Sequence, residues 1–150
     1  MNKVTVEFFR SNGSPVNLID LSPEFLSSNG ISNENAARPF RIGMQPKVSK
    51  AGNEFFEYAQ NSIPLPDGLQ TYVKVNGTLV PMGSVKPSKS GNPTRDGSNS
   101  ILIGNVVHDV VAYLTEAKSG FYVKVFVHKQ PDRSKNIKKA QMAPRGGQFL

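Results

Sequence analysis

The stretch from Lys118 to Lys129 constrains the fold more than any other. After the Lys118-Ser119-Gly120 turn, Phe121-Tyr122-Val123-Lys124-Val125-Phe126-Val127-His128 alternates without a break. Neighbouring side chains of a strand point to opposite faces of its sheet. Phe121, Val123, Val125 and Val127 therefore share a core-like face, and Tyr122, Lys124, Phe126 and His128 share the other. That second face sets flat rings beside a cation. Rings stack on bases and lysines neutralise phosphates, the two contacts that binding of a single-stranded nucleic acid uses. An amphipathic edge strand with no ligand would carry the same pattern.

Period-two alternation recurs along the chain. Lys3 to Phe9 sets Val4, Val6 and Phe8 against Thr5, Glu7 and Phe9, and Phe40 to Val48 alternates again. Lys50-Ala51-Gly52-Asn53 then signals a hairpin, with Glu54 to Gln60 as its return strand and Phe56 and Tyr58 on one face. Thr71 to Val75 repeats the ring-and-cation pattern through Tyr72 and Lys74. Asn76-Gly77 is the strongest turn signal, since a tight hairpin needs two residues tolerant of positive φ, and Thr78-Leu79-Val80 returns. Ile101 to Ile103 and Val106 to Leu114 are apolar, β-prone runs. Ser22-Pro23-Glu24 marks one short helix start, with a hydroxyl cap, a proline and then an acid, and a second helical turn is expected after Ser32. Gly83 to Ser100 reads as a long basic loop carrying Lys86, Lys89 and Arg95. Lys-(Ala/Ser)-Gly occurs at 50–52, 89–91 and 118–120, at spacings too irregular for a repeat.

The expected class is therefore all-β and mainly antiparallel, a small OB-like barrel with one or two short helices. Residues 1–130 form the domain, and residues 131–150, with five basic residues and one acid, form a flexible basic tail.

The chain of 150 residues carries a net charge of +7, unevenly placed. Residues 1–75 hold seven basic and seven acidic residues; residues 76–150 hold eleven and four. Such asymmetry points to a polyanionic partner. There is no cysteine, which excludes disulfides, zinc–thiolate sites and thiol catalysis. No segment is apolar enough to span a bilayer, and the N-terminus has Glu7 within its apolar part and no cleavage signal. A cytoplasmic protein is expected, in the host cytoplasm if the source is viral. Enzyme chemistry has little to stand on. His108 and Asp109 are adjacent on a strand and face opposite ways, no metal-ligand spacing occurs, and the carboxylates are scattered. We expect no catalytic residues, no metal and no cofactor.

Lys50-Ala51-Gly52-Asn53-Glu54-Phe55-Phe56, then Pro64-Leu65-Pro66-Asp67-Gly68, Gly77-Thr78-Leu79-Val80, Val85-Lys86-Pro87-Ser88 and Ile101-Leu102-Ile103 follow one another in an order that resembles the single-stranded-DNA-binding proteins of filamentous phages. The resemblance covers about residues 45–105. It implies an OB-like barrel that dimerises and coats replicating strands, with stacking aromatics and basic hairpin tips, here matched by Lys50, Phe56 and Tyr58. The segment around Ser22-Pro23-Glu24 has no counterpart. The basic C-terminus also lacks the acidic tip with which bacterial single-strand-binding proteins recruit other enzymes. Residues and resemblance together predict a sequence-independent single-stranded-DNA-binding protein of phage or plasmid replication, forming a homo-oligomer, with a dimer favoured. Its expected contacts are Lys50, Phe56, Tyr58, Tyr72, Lys74, Lys86, Lys89, Arg95, Tyr122, Lys124, Phe126 and Lys129. RNA in place of DNA, and a virion or assembly protein whose tail touches the genome, are the alternatives.

Overall fold

A computed structural model describes residues 3–130; the expected tail lies outside them. The alternating segments form antiparallel strands in two sheets. In chain order these are β1 (Val4–Phe9), β2 (Arg41–Met44), β3 (Lys47–Val48), β4 (Glu54–Ile63), β5 (Tyr72–Val75), β6 (Thr78–Val80), β7 (Lys86–Pro87), β8 (Pro93–Ile103), β9 (Val106–Ala117) and β10 (Gly120–Lys129). The first sheet has the order β2-β1-β5-β6 and the second β3-β4-β10-β9-β8-β7. One core lies between them. Val4, Val6 and Phe8 of β1 and Val73 and Val75 of β5 face Phe56 of β4, Val110 and Leu114 of β9, and Val123, Val125 and Val127 of β10. Burying these side chains, at roughly 1.5–3 kcal/mol each, makes the alternation binding: a one-residue slip would turn every one of them to water.

Two expectations are corrected here. Residues 40–48 are not one strand. Gln45-Pro46 breaks them, so β2 stays in the first sheet while β3 edges the second. Residues 83–100 are not a loop. Most of them form β7 and the first half of β8, whose polar residues face outward or lie under a crossing segment. That crossing is tight. After β6 the chain passes over the inner face of β8, where Met82 bridges to Gly97. A β-carbon on Gly97 would sit 1.9 Å from the Pro81 carbonyl oxygen.

Helix α1 (Pro23–Ser28) starts where Ser22 caps it, its Oγ accepting from the Phe25 N–H at 3.1 Å. Residues after Ser32 form turns rather than a second helix. Asn76 adopts φ 49° in the β5–β6 hairpin, as its tight turn requires.

The strand registers obey a two-fold relation. In the second sheet Val125 pairs with Ala112, and rotation about that pair exchanges β10 with β9, β4 with β8 and β3 with β7. Lys47 opposite Phe55 becomes Lys86 opposite Thr94, and Glu57 opposite Phe126 becomes Asp96 opposite Tyr113. In the first sheet the axis passes through the Glu7–Lys74 pair and exchanges β1 with β5 and β2 with β6. Met44 and Met82 then correspond, and so do the hairpin tips Ser49–Asn53 and Ser88–Asn92. In both tips the serine N–H donates to the asparagine carbonyl at 2.8 Å, and the glycine N–H donates to the serine carbonyl at 2.9 Å. Gly52 and Gly91 hold φ 85° and 89°. The third Lys-Ser-Gly, at 118–120, is a different device: Gly120 lies against the Ser62 backbone, 2.8 Å from where its β-carbon would be.

The turn at Ser11 is tied to the loop before β5 by one carboxylate. Asp67 accepts the Ser11 N–H at 2.7 Å and the Ser11 hydroxyl at 2.9 Å, with Arg10 3.8 Å away. These hydrogen bonds, the backbone one first, hold the Asp67 pKa below its ordinary value. A carboxyl with a lower pKa in the folded state stabilises that state above its unfolded pKa and stops doing so as pH falls through the lowered value. Hydrogen exchange of the Ser11 amide, measured against its intrinsic rate at each pH, should therefore be slow at neutral pH and lose that slowing as pH falls through the lowered Asp67 value. In Asp67→Asn it should be fast at neutral pH already. Equal protection in the two proteins would remove Asp67 as the tie.

Candidate nucleic-acid interface

Tyr122, Lys124, Phe126 and His128 lie on the outer face of the second sheet, opposite Val123, Val125 and Val127, which have no exposed surface. Register places their neighbours. Phe55 and Asp109 flank His128, Glu57 and Val111 flank Phe126, and Ala59 and Tyr113 flank Lys124. Three rings meet here. Phe55 and Phe126 have centroids 5.6 Å apart, and Phe126 and His128 5.3 Å, both tilted. These spacings are those of aromatic pairs in contact. The rings border an open groove of about 1010 Å³, lined also by Ser49, Asn53 and Gln130.

Cations are spread over the same outer face. Lys47 and Lys124 both approach the Glu57 carboxylate, at 3.9 and 3.8 Å, and Lys86 approaches Asp96 at 3.1 Å. Exposed pairs of this kind contribute little to stability, so a phosphate can compete for the ammonium groups. Lys50 and Lys89 stand exposed on the two matching hairpin tips, and no ion pair involves either among the described residues.

Most of the remaining expected contacts are elsewhere. Phe56 is fully buried and pairs with Val127 on the core side, so its stacking role is withdrawn. Tyr58 shares that inner face. It is half-buried, its hydroxyl donates to Gln60 Oε1 at 2.6 Å, and burial pushes its pKa up to about 12. Arg95 is also corrected. It points inward on β8, and its guanidinium donates to the carbonyls of Gly83, Leu69 and Met82 at 2.7, 2.6 and 3.3 Å. It holds three chain segments together. Tyr72 and Lys74 lie on the outer face of the first sheet, beside Phe9, with the Lys74 ammonium 4.5 Å from the Phe9 ring centroid. The shared core separates them from the Phe126 face. Lys129 is exposed and has the parity of the core valines, yet it lines the groove beside His128.

Sequence reasoning missed Phe55 and Tyr113 as members of the face. Tyr113 sits in an apolar run whose valines come in adjacent pairs, Val106-Val107 and Val110-Val111, so only register fixes its face. Phe55 and Phe56 are adjacent, and only the register of β4 on β10 decides which is outside. Among the described residues no group of His, Asp or Glu could hold a metal ion, and no helix is long and apolar enough to cross a membrane.

Comparison with known proteins adds nothing to this picture: no protein-family model, no curated protein and no solved structure matches the chain.

Proposed function

We propose that the protein binds single-stranded nucleic acid, DNA in the first instance, without sequence preference, through the outer face of its second sheet. The observation that carries this reading is the Phe55–Phe126–His128 ring cluster, open to a groove and set among Lys47, Lys50 and Lys124. Unstacked bases need exposed π-faces, and each is worth about 1–3 kcal/mol. Nearby ammonium groups add a term that weakens with salt. Excess positive charge in the second half of the chain fits the same partner. An OB-like relation to the phage single-strand binders, a role in phage or plasmid replication, and assembly of several copies on one strand belong to this proposal.

The test is the Phe126→Ala, Tyr122→Ala double variant titrated with oligo-dT. Both side chains are half-exposed on the outer face, so the thermal midpoint should move little. Affinity should fall by several kcal/mol at most. A folded double variant with unchanged oligo-dT binding would remove this face as the site.

A further inference from the structure

We infer that this face is two half-sites related by the internal two-fold axis, and that one continuous strand crosses both, running diagonally from the Lys50 tip to the Lys89 tip. The inference rests on the nucleic-acid reading above and specifies how the strand lies. Four features recur across the axis. The tips carry Lys50 and Lys89 on turns with the same hydrogen bonds. Behind them, Lys47 and Lys86 start the short edge strands. Each of those lysines reaches a carboxylate one step inward, Glu57 in one half and Asp96 in the other. Beside each carboxylate, on the central strands, stands a ring: Phe126 next to Glu57 and Tyr113 next to Asp96.

The placement of the two rings decides between one strand and two. Phe126 pairs with Val111, and Tyr113 pairs with Lys124, so the rings are diagonal neighbours across β10 and β9. Diagonal positions of this kind are about 7–8 Å apart. Two strands side by side would bring their phosphates together at the axis, where Lys124 is the one nearby cation on the face among the described residues. A single strand passing over both rings spaces them as bases two apart at the stacked repeat of ~3.4 Å. From Lys47 to Lys86 the path crosses the whole six-stranded sheet. At ~4.8 Å per strand and ~6.8 Å per two residues along the strands, that diagonal is roughly 30 Å. It matches about nine stacked nucleotides, or fewer if the strand is stretched.

The halves match in Lys47 and Lys86, Lys50 and Lys89, and Glu57 and Asp96, but Lys124 has Val111 as its counterpart, and the rings differ too. Where the first half has Phe55 and His128, the second has Thr94 and Thr115, whose hydroxyls bond each other at 2.8 Å. The first half should therefore bind a short oligomer more tightly, while the matching lysine pairs contribute alike to salt dependence.

The experiment is a titration of the full chain with oligo-dT of about four and about twelve nucleotides, followed by native mass spectrometry and repeated across salt concentrations. Two short oligomers should bind per chain, with unequal affinity, and one long oligomer. The variants Lys47→Ala with Lys50→Ala, and Lys86→Ala with Lys89→Ala, should each lower the salt slope for the long oligomer by about 1.4, two phosphate contacts at roughly 0.7 each. Each variant should also reduce short-oligomer stoichiometry to one. Two long oligomers per chain would overturn the single crossing path. Sensitivity confined to one tip would overturn the paired half-sites, while leaving the nucleic-acid reading in place. Absence of binding at every length and salt would overturn that reading and the inference with it.

Discussion

Gly97→Ala is expected to destabilise the protein by on the order of 3 kcal/mol or more. The added methyl would meet backbone on every near side: the Pro81 carbonyl oxygen at 1.9 Å, its carbon at 2.7 Å and the Met82 α-carbon at 2.9 Å. No side-chain rotation relieves such an overlap. Either β8 or the segment leaving β6 must move, and that segment is also held by the Arg95 guanidinium on Gly83 and Met82. In a chain of this size each kcal/mol lowers the thermal midpoint by about 3 °C, so the shift should be near 10 °C by circular dichroism. An alanine variant within about 1 kcal/mol of the parent would mean that the segment leaving β6 does not approach β8 at Gly97.

Phe56→Ala and Phe55→Ala should part company, although the residues are adjacent and identical. Phe56 has no exposed surface and lies in the core. Truncating it removes buried rings' worth of contact and leaves a cavity, at about 3–5 kcal/mol. Oligo-dT affinity of the molecules that remain folded should be unchanged. Phe55 is half-exposed, on the other face, against Phe126. Its loss should cost about 1 kcal/mol of stability or less, and about 1–3 kcal/mol of binding. Chemical denaturation and a fluorescence titration read the two quantities separately. If Phe55→Ala unfolds the protein and Phe56→Ala does not, β4 is registered one residue away from where it is placed here.

That pair also marks how far the amino-acid order could be read. The Phe121–His128 strand was legible because valine fills every second position, and a half-buried strand has no other way to be stable. Two consecutive phenylalanines satisfy either parity, so Phe56 was expected at the interface when its partner Val127 draws it inward. The 93–100 part of β8 looks like a loop in the sequence for a related reason. Pro93-Thr94-Arg95-Asp96-Gly97-Ser98-Asn99 carries no apolar alternation, because its inward positions serve other ends. Gly97 admits a crossing chain, Arg95 gathers three carbonyls, and Asn99 donates to the Leu79 carbonyl at 2.8 Å. None of these announces a strand, since each depends on a distant segment. The recurrence of Lys-(Ala/Ser)-Gly was visible, but its meaning was not. The matching tips precede strands as unlike as Glu54-Phe55-Phe56-Glu57 and Pro93-Thr94-Arg95-Asp96, and only their shared register makes them equivalent.

The second sheet ends on both sides in strands of two residues, Lys47–Val48 and Lys86–Pro87. Those two strands, charged and on one side carrying a proline, offer almost no ladder of their own for a foreign strand to extend. Copies gathered at high density along a polymer would meet there without zippering into a shared sheet. Crowding on a template and resistance to fibril growth are thereby compatible in one molecule, and thioflavin fluorescence of concentrated protein should stay at baseline.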